Sequence, residues 1–223
     1  MKKVVIATAL SLCVASAFAA DTAVLKVKGT LTNAACTPEL SNGGVVDYGM
    51  IHLGTLSSST VNQMGQKNID LIINCSSATK VSWNMVDDRV DSNANITVED
   101  AKFGGGTMQG GNQTYGVGKA GAVNIGSYSL FLKADSVTAD SSTVDPIYQQ
   151  NGGTTWTKST NGTTQGENYR NFTVATAGSL EPLAFTTATF PLVTSLAIQD
   201  TTTLAITDDT PLDGQITISL KYL

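Results

Sequence analysis

The last ten residues read Gly214-Gln215-Ile216-Thr217-Ile218-Ser219-Leu220-Lys221-Tyr222-Leu223. Ile216, Ile218, Leu220 and Tyr222 alternate strictly with Thr217, Ser219 and Lys221. A period of two puts the first set on one face of a β-strand and the second set on the other. No strand follows to cover the free edge, and a long half-apolar edge invites pairing with another strand. The other end of the chain carries a matching pattern. In Ala23-Val24-Leu25-Lys26-Val27-Lys28-Gly29-Thr30-Leu31, one face holds Ala23, Leu25, Val27, Gly29 and Leu31. The opposite face holds Val24, Lys26, Lys28 and Thr30. One end reads as a sheet edge lacking a neighbour, and the other as a strand that could serve as one. Periodicity alone does not say whether that strand packs in its own copy or in another.

Between the ends, short runs rich in Val, Ile, Thr and aromatics recur: 45–48, 69–73, 81–86, 128–132, 172–174, 183–185 and 192–198. Turn clusters separate them, among them Asn42-Gly43-Gly44, Gly104-Gly105-Gly106, Gly110-Gly111-Asn112, Asn151-Gly152-Gly153 and Asn161-Gly162. No long 3.6-residue apolar stripe appears. The expectation is a one-domain, all-β sandwich, with long loops or hairpins over 104–168.

Composition narrows the function. The chain holds 13 Lys and Arg against 18 Asp and Glu, a formal charge of −5, which argues against a phosphate-backbone binder. Hydrophobic residues make up 41% and charged ones 14%, the opposite of a disordered chain. His52 is the single histidine, so His-cluster metal or catalytic sites have no material. It lies in a strand-like run beside Ile51 and Leu53, as a structural histidine would. Asp91-x-Asn93-x-Asn95 begins like a calcium loop, but Ile96 stands where glycine is required and Lys102 where the closing glutamate belongs. No catalytic residue, metal or cofactor is expected, and the chain does not read as an enzyme.

Lys2 and Lys3, the apolar run Val4 to Val14, and Ala17-Phe18-Ala19 have the form of a secretory leader cleaved after Ala19. No later stretch is long and apolar enough for a membrane helix. Cys13 falls in the leader, which leaves Cys36 and Cys75. An even pair in an exported chain reads as a disulfide, with free thiols as the alternative. A loop of 39 residues would contribute about 4 kcal/mol in the chain-entropy account.

The segment Val27-Lys28-Gly29-Thr30-Leu31-Thr32-Asn33-Ala34-Ala35-Cys36 resembles the donor segment and first strand of chaperone–usher fimbrial subunits (pilins) of Gram-negative bacteria. Gly29 stands seven residues before Cys36, Cys75 follows the apolar run 69–73, and Tyr222 is the penultimate residue, as in that family. Ala34-Ala35-Cys36-Thr37-Pro38 with Gly43-Gly44-Val45-Val46-Asp47-Tyr48-Gly49 is similar to a fimbrial-like subgroup mostly without assigned function. The resemblance implies an incomplete immunoglobulin-like sandwich lacking its last strand. Residues 1–19 would be the leader, 20–34 the donor segment and 35–223 the pilin domain. It implies a periplasmic chaperone, an outer-membrane usher and other pilin subunits as partners, and a place in a fimbrium at the cell surface. The donor residues would be Ala23, Leu25, Val27, Gly29 and Leu31. The groove residues of the C-terminal zipper would include Ile216, Ile218, Leu220 and Tyr222.

The alternative is a secreted, monomeric carbohydrate-binding sandwich. Its ligand-stacking candidates are Trp83, Tyr115, Tyr148, Tyr169 and above all Trp156, in the Gly/Thr-rich stretch. Trp83 sits in a strand-like run and reads as core.

Overall fold

Strand-forming runs among the described residues pair into two antiparallel sheets that share a core, and into a separate two-stranded ribbon over 119–124. The computed structural model describes residues 35–223, together with Val27 and Gly29. The expected leader lies outside the described residues, as does the rest of the 20–34 segment.

In chain order the strands are β1 (Cys36–Leu40), β2 (Asn62–Thr79), β3 (Val81–Asp87), β4 (Tyr115–Gly116), β5 (Lys119–Ala120), β6 (Val123–Asn124) and β7 (Gly126–Leu132). They continue with β8 (Thr138–Ala139), β9 (Ser142–Thr143), β10 (Asp145–Gln150), β11 (Thr157–Lys158), β12 (Arg170–Ala175), β13 (Phe185–Ile198) and β14 (Ile216–Tyr222). A one-turn helix, α1 (Thr201–Leu204), is capped by the Asp200 carboxylate, which accepts from the Thr203 N–H. The first sheet runs β1-β2-β13-β7-β4, with the β8–β9 ribbon attached to β13; the second runs β11-β10-β12-β3-β14. The expected all-β sandwich is what forms.

Inward side chains of both sheets meet. Trp83 stacks on Phe172 at 5.0 Å between ring centroids and meets Phe190 edge-on at 5.7 Å. Around them lie Leu71, Ile73, Met85, Leu132, Val174, Phe185 and Leu192, all buried. Trp83 is core, as its strand position implied. The Cys36–Cys75 disulfide forms and ties β1 to β2 across directly paired positions.

Four sequence expectations change. Phe185 and the run 192–198 belong to one strand, β13, which continues through Pro191, while Leu183 and Ala184 lie before it. The proline is tolerated because the outer partner of β13 changes there, from β7 at Leu192 to β8 at Thr189. Within 104–168 the expected run 128–132 forms β7, and β10, which no expected run covered, is a full member of the second sheet. Val45-Val46-Asp47-Tyr48 joins no ladder among the described residues. Asn42, Gly43 and Gly44 all have positive φ, and this turn leads the chain out of the β1–β2 ladder. His52 follows in the same irregular stretch rather than in a strand.

Candidate functional site

Among the described residues, β14 has a neighbour on one side only. It pairs with β3 from Ile216↔Asp87 to Tyr222↔Val81. The Asp88 N–H donates to the Gln215 carbonyl and the Leu223 N–H to the Lys80 carbonyl, at 3.0 and 3.1 Å. In an antiparallel ladder the bonded positions alternate. Gln215, Thr217, Ser219, Lys221 and Leu223 therefore face β3, and the N–H and C=O groups of Ile216, Ile218 and Leu220 point to the open side. Their side chains are half-buried against the core. Gly214 leads into the strand against the Tyr128 ring; a Cβ there would come within 3.0 Å of a ring carbon and 3.2 Å of the Gly116 carbonyl.

The facing wall is the irregular stretch 45–51, which leaves the extended conformation at Gly49, where φ is positive. Val46, Tyr48 and Ile51 turn inward, while Val45 and Met50 are exposed. Among the described residues, the backbone N–H groups of Val46, Tyr48 and Met50 find no acceptor. Tyr48 anchors this wall: its hydroxyl lies 3.0 Å from Thr194 Oγ1 on β13. Burial pushes the Tyr48 pKa up, with the Thr194 bond pulling the other way.

Between the walls lies a cleft of ≈ 780 Å³. Its floor is apolar: Ile69, Leu130 and Leu192 from the main core, and Val117, Ile125, Leu196 and Ile198 from a second cluster. Tyr128 packs against both clusters. The end of β14 is tied to β1 by the Cys36 N–H donating to Tyr222 Oη at 2.9 Å. The stretch 206–212 also lines the cleft and brings Asp208 and Asp209. With Asp47 these are the only charged side chains lining it among the described residues.

An apolar floor beside the open-side N–H and C=O groups of Ile216, Ile218 and Leu220 suits an extended peptide. Main-chain hydrogen bonds would supply affinity, and alternate side chains would supply register.

The expected zipper residues are brought to this place in part. Ile216 and Ile218 line the cleft, Leu220 packs inward beyond its lining, and Tyr222 is exposed with only its hydroxyl engaged. Of the expected donor residues, Val27 is exposed and Gly29 has open space around it. Ala23, Leu25 and Leu31 lie outside the described residues. Trp156 is half-buried beside β11, at the edge of the second sheet opposite β14, and does not line the cleft. Tyr115 is core, and Tyr148 carries the Arg170 guanidinium 4.3 Å above its ring. Sequence reading missed the wall itself. The alternation of Val46 and Tyr48 was visible, but it looked like an ordinary paired strand.

Among the described residues, no group of three or more His, Cys, Asp or Glu is placed to hold a metal ion. None of their helices is long and apolar enough to cross a membrane.

Comparison with known proteins places this chain in a family. Residues 25–129 match the family described as "Protein of unknown function (DUF1120)". The match takes in the 45–51 wall and part of the floor. Protein GltF of Escherichia coli (strain K12) is 32% identical, over 98% of this chain and 96% of its own length. The chain belongs to this family. The uncharacterized protein YhcF of the same organism is 31% identical, over 93% of each chain. The DUF1120 match stops before β13 and β14, so half of the cleft is carried by the longer alignments to these relatives.

Proposed function

We propose that this chain is a structural subunit of a surface fimbria. It would be exported through the periplasm and would polymerise by donor-strand exchange, supporting adhesion. The single observation that carries the reading is the cleft, apolar below and flanked by the edge of β14 and the wall 45–51, neither of which has a ladder partner on the cleft side among the described residues. The occupant would be the 20–34 segment of a neighbouring copy, seated with Ala23, Leu25, Val27, Gly29 and Leu31 downward. A periplasmic chaperone would fill the cleft first, and an outer-membrane usher would exchange it for the donor. Burying Leu25, Val27 and Leu31 is worth about 1.5–3 kcal/mol each by transfer, less the ordering cost of the strand. Donor and cleft are different surfaces of one chain, so the contact is head-to-tail and builds an open filament.

The test is co-expression in a Gram-negative periplasm with a chaperone encoded nearby. The expected result is a one-to-one complex that yields denaturant-resistant polymers on mixing. A stable monomer accumulating without any chaperone would overturn the reading.

A further inference from the structure

The cleft has a charge as well as a shape. Asp47, Asp208 and Asp209 line it, and no Lys or Arg does among the described residues. These three carboxylates are exposed and make no ion pair among the described residues; the two ion pairs there are Arg89–Asp213 and Lys158–Asp145. Asp213, just beyond this stretch, is already held by Arg89 at 2.9 Å. Lys67, whose nitrogen lies 5.9 Å from the centre of the Tyr48 ring, is not part of the lining.

The 22–31 segment is complementary to this rim. With Leu25, Val27, Gly29 and Leu31 against the apolar floor, the period of two turns Lys26 and Lys28 up toward the mouth. We infer that the acidic rim selects a strand that is apolar on one face and basic on the other, and that Lys26 and Lys28 of a second copy are the cations it receives. The inference rests on the strand-accepting reading above and adds to it a partner chemistry. Exposed charges about a Debye length apart or closer act chiefly on encounter, so selection should appear in the association rate and fade with salt.

The test uses the full exported chain, disulfide intact, diluted from denaturant into a large excess of a fluorescent synthetic peptide spanning residues 20–34. Capture is followed by anisotropy at about 0.05 M and about 0.5 M NaCl. A peptide carrying Lys26→Glu and Lys28→Glu should be captured about tenfold more slowly at low salt, with the difference shrinking to about twofold at high salt. Asp208→Asn with Asp209→Asn in the chain should flatten the salt dependence of the unaltered peptide. Equal capture of both peptides at both salt levels overturns the charge selection and leaves the cleft reading standing. Capture of neither peptide overturns both.

Discussion

Tyr222 Oη accepts a hydrogen bond of 2.9 Å from the backbone N–H of Cys36, joining the free edge of one sheet to the first strand of the other. The two residues are 186 positions apart in sequence. Cys36 is also bonded to Cys75 on β2, so the three strands β14, β1 and β2 are tied at one point.

Tyr222→Phe removes the tie and little else, because the ring is about half exposed. The expected loss is about 1 kcal/mol, the net worth of one hydrogen bond. Urea unfolding should show a lower midpoint with an unchanged slope. An unchanged midpoint would mean that the bond is not made in solution.

Cys36→Ser with Cys75→Ser should cost more, about 2–5 kcal/mol. The bridge closes a loop of 39 residues that holds β1, the 45–51 wall and the first part of β2. The wall has no ladder of its own, so it should loosen first. Limited proteolysis of the double variant is expected to cut within 45–56 before any site in β2. First cleavage elsewhere would show that Tyr48 and Thr194 hold the wall without the bridge.

Asp87 gives a pH dependence with a definite sign. The residue is buried, and its two carboxylate oxygens accept from the N–H groups of Arg89 and Gly116, each at 2.9 Å. Burial pushes its pKa up, the two backbone bonds pull it down, and Asp88 and Glu167 add to the rise. The net shift is upward, so the folded state holds the proton more tightly than the unfolded state. As pH rises past the ordinary carboxylate range, the unfolded chain ionises first and stability falls. The fall ends once Asp87 ionises in the folded state too. Asp87→Asn should abolish that decline, measured as unfolding free energy across the acidic range. A decline of equal slope in the variant would assign it to other carboxylates.

How much of this was legible in the sequence depends on burial on one face or two. β14 was readable because one side meets the core and the other meets water, so Ile216, Ile218 and Leu220 alternate with polar residues. β10 was not, because Asp145-Pro146-Ile147-Tyr148-Gln149-Gln150 opens like a turn and closes polar, yet Ile147 and Pro146 are buried. β13 looked like two strands because a proline interrupts it, and only the change of ladder partner explains its continuity. The cleft was legible as an edge without a neighbour. Its second wall was not, since an extended segment and a paired strand share one sequence pattern. Asp208-Asp209 read as a solvated turn, and they are exposed; their place on the lining of the cleft follows from tertiary structure alone.

The strand-exchange reading makes a demand that a mere mutational loss does not. Val27→Arg alters the donor face and leaves the cleft untouched, so such a chain should accept a strand but not give one. Ile218→Arg places a charge on the cleft wall and leaves residues 20–34 untouched, so such a chain should give a strand but not accept one. Each variant added to wild type should cap one end of a filament, and mean length should fall as its fraction rises. Mixed with each other and without wild type, the two should stop at pairs, since only one of the two possible contacts survives. Electron microscopy and size-exclusion chromatography read both results. Val27 is exposed, so that variant should fold normally and stands as the control should Ile218→Arg misfold. Filaments of ordinary length from Val27→Arg alone would remove residues 20–34 from the assembly and with them the proposed mechanism.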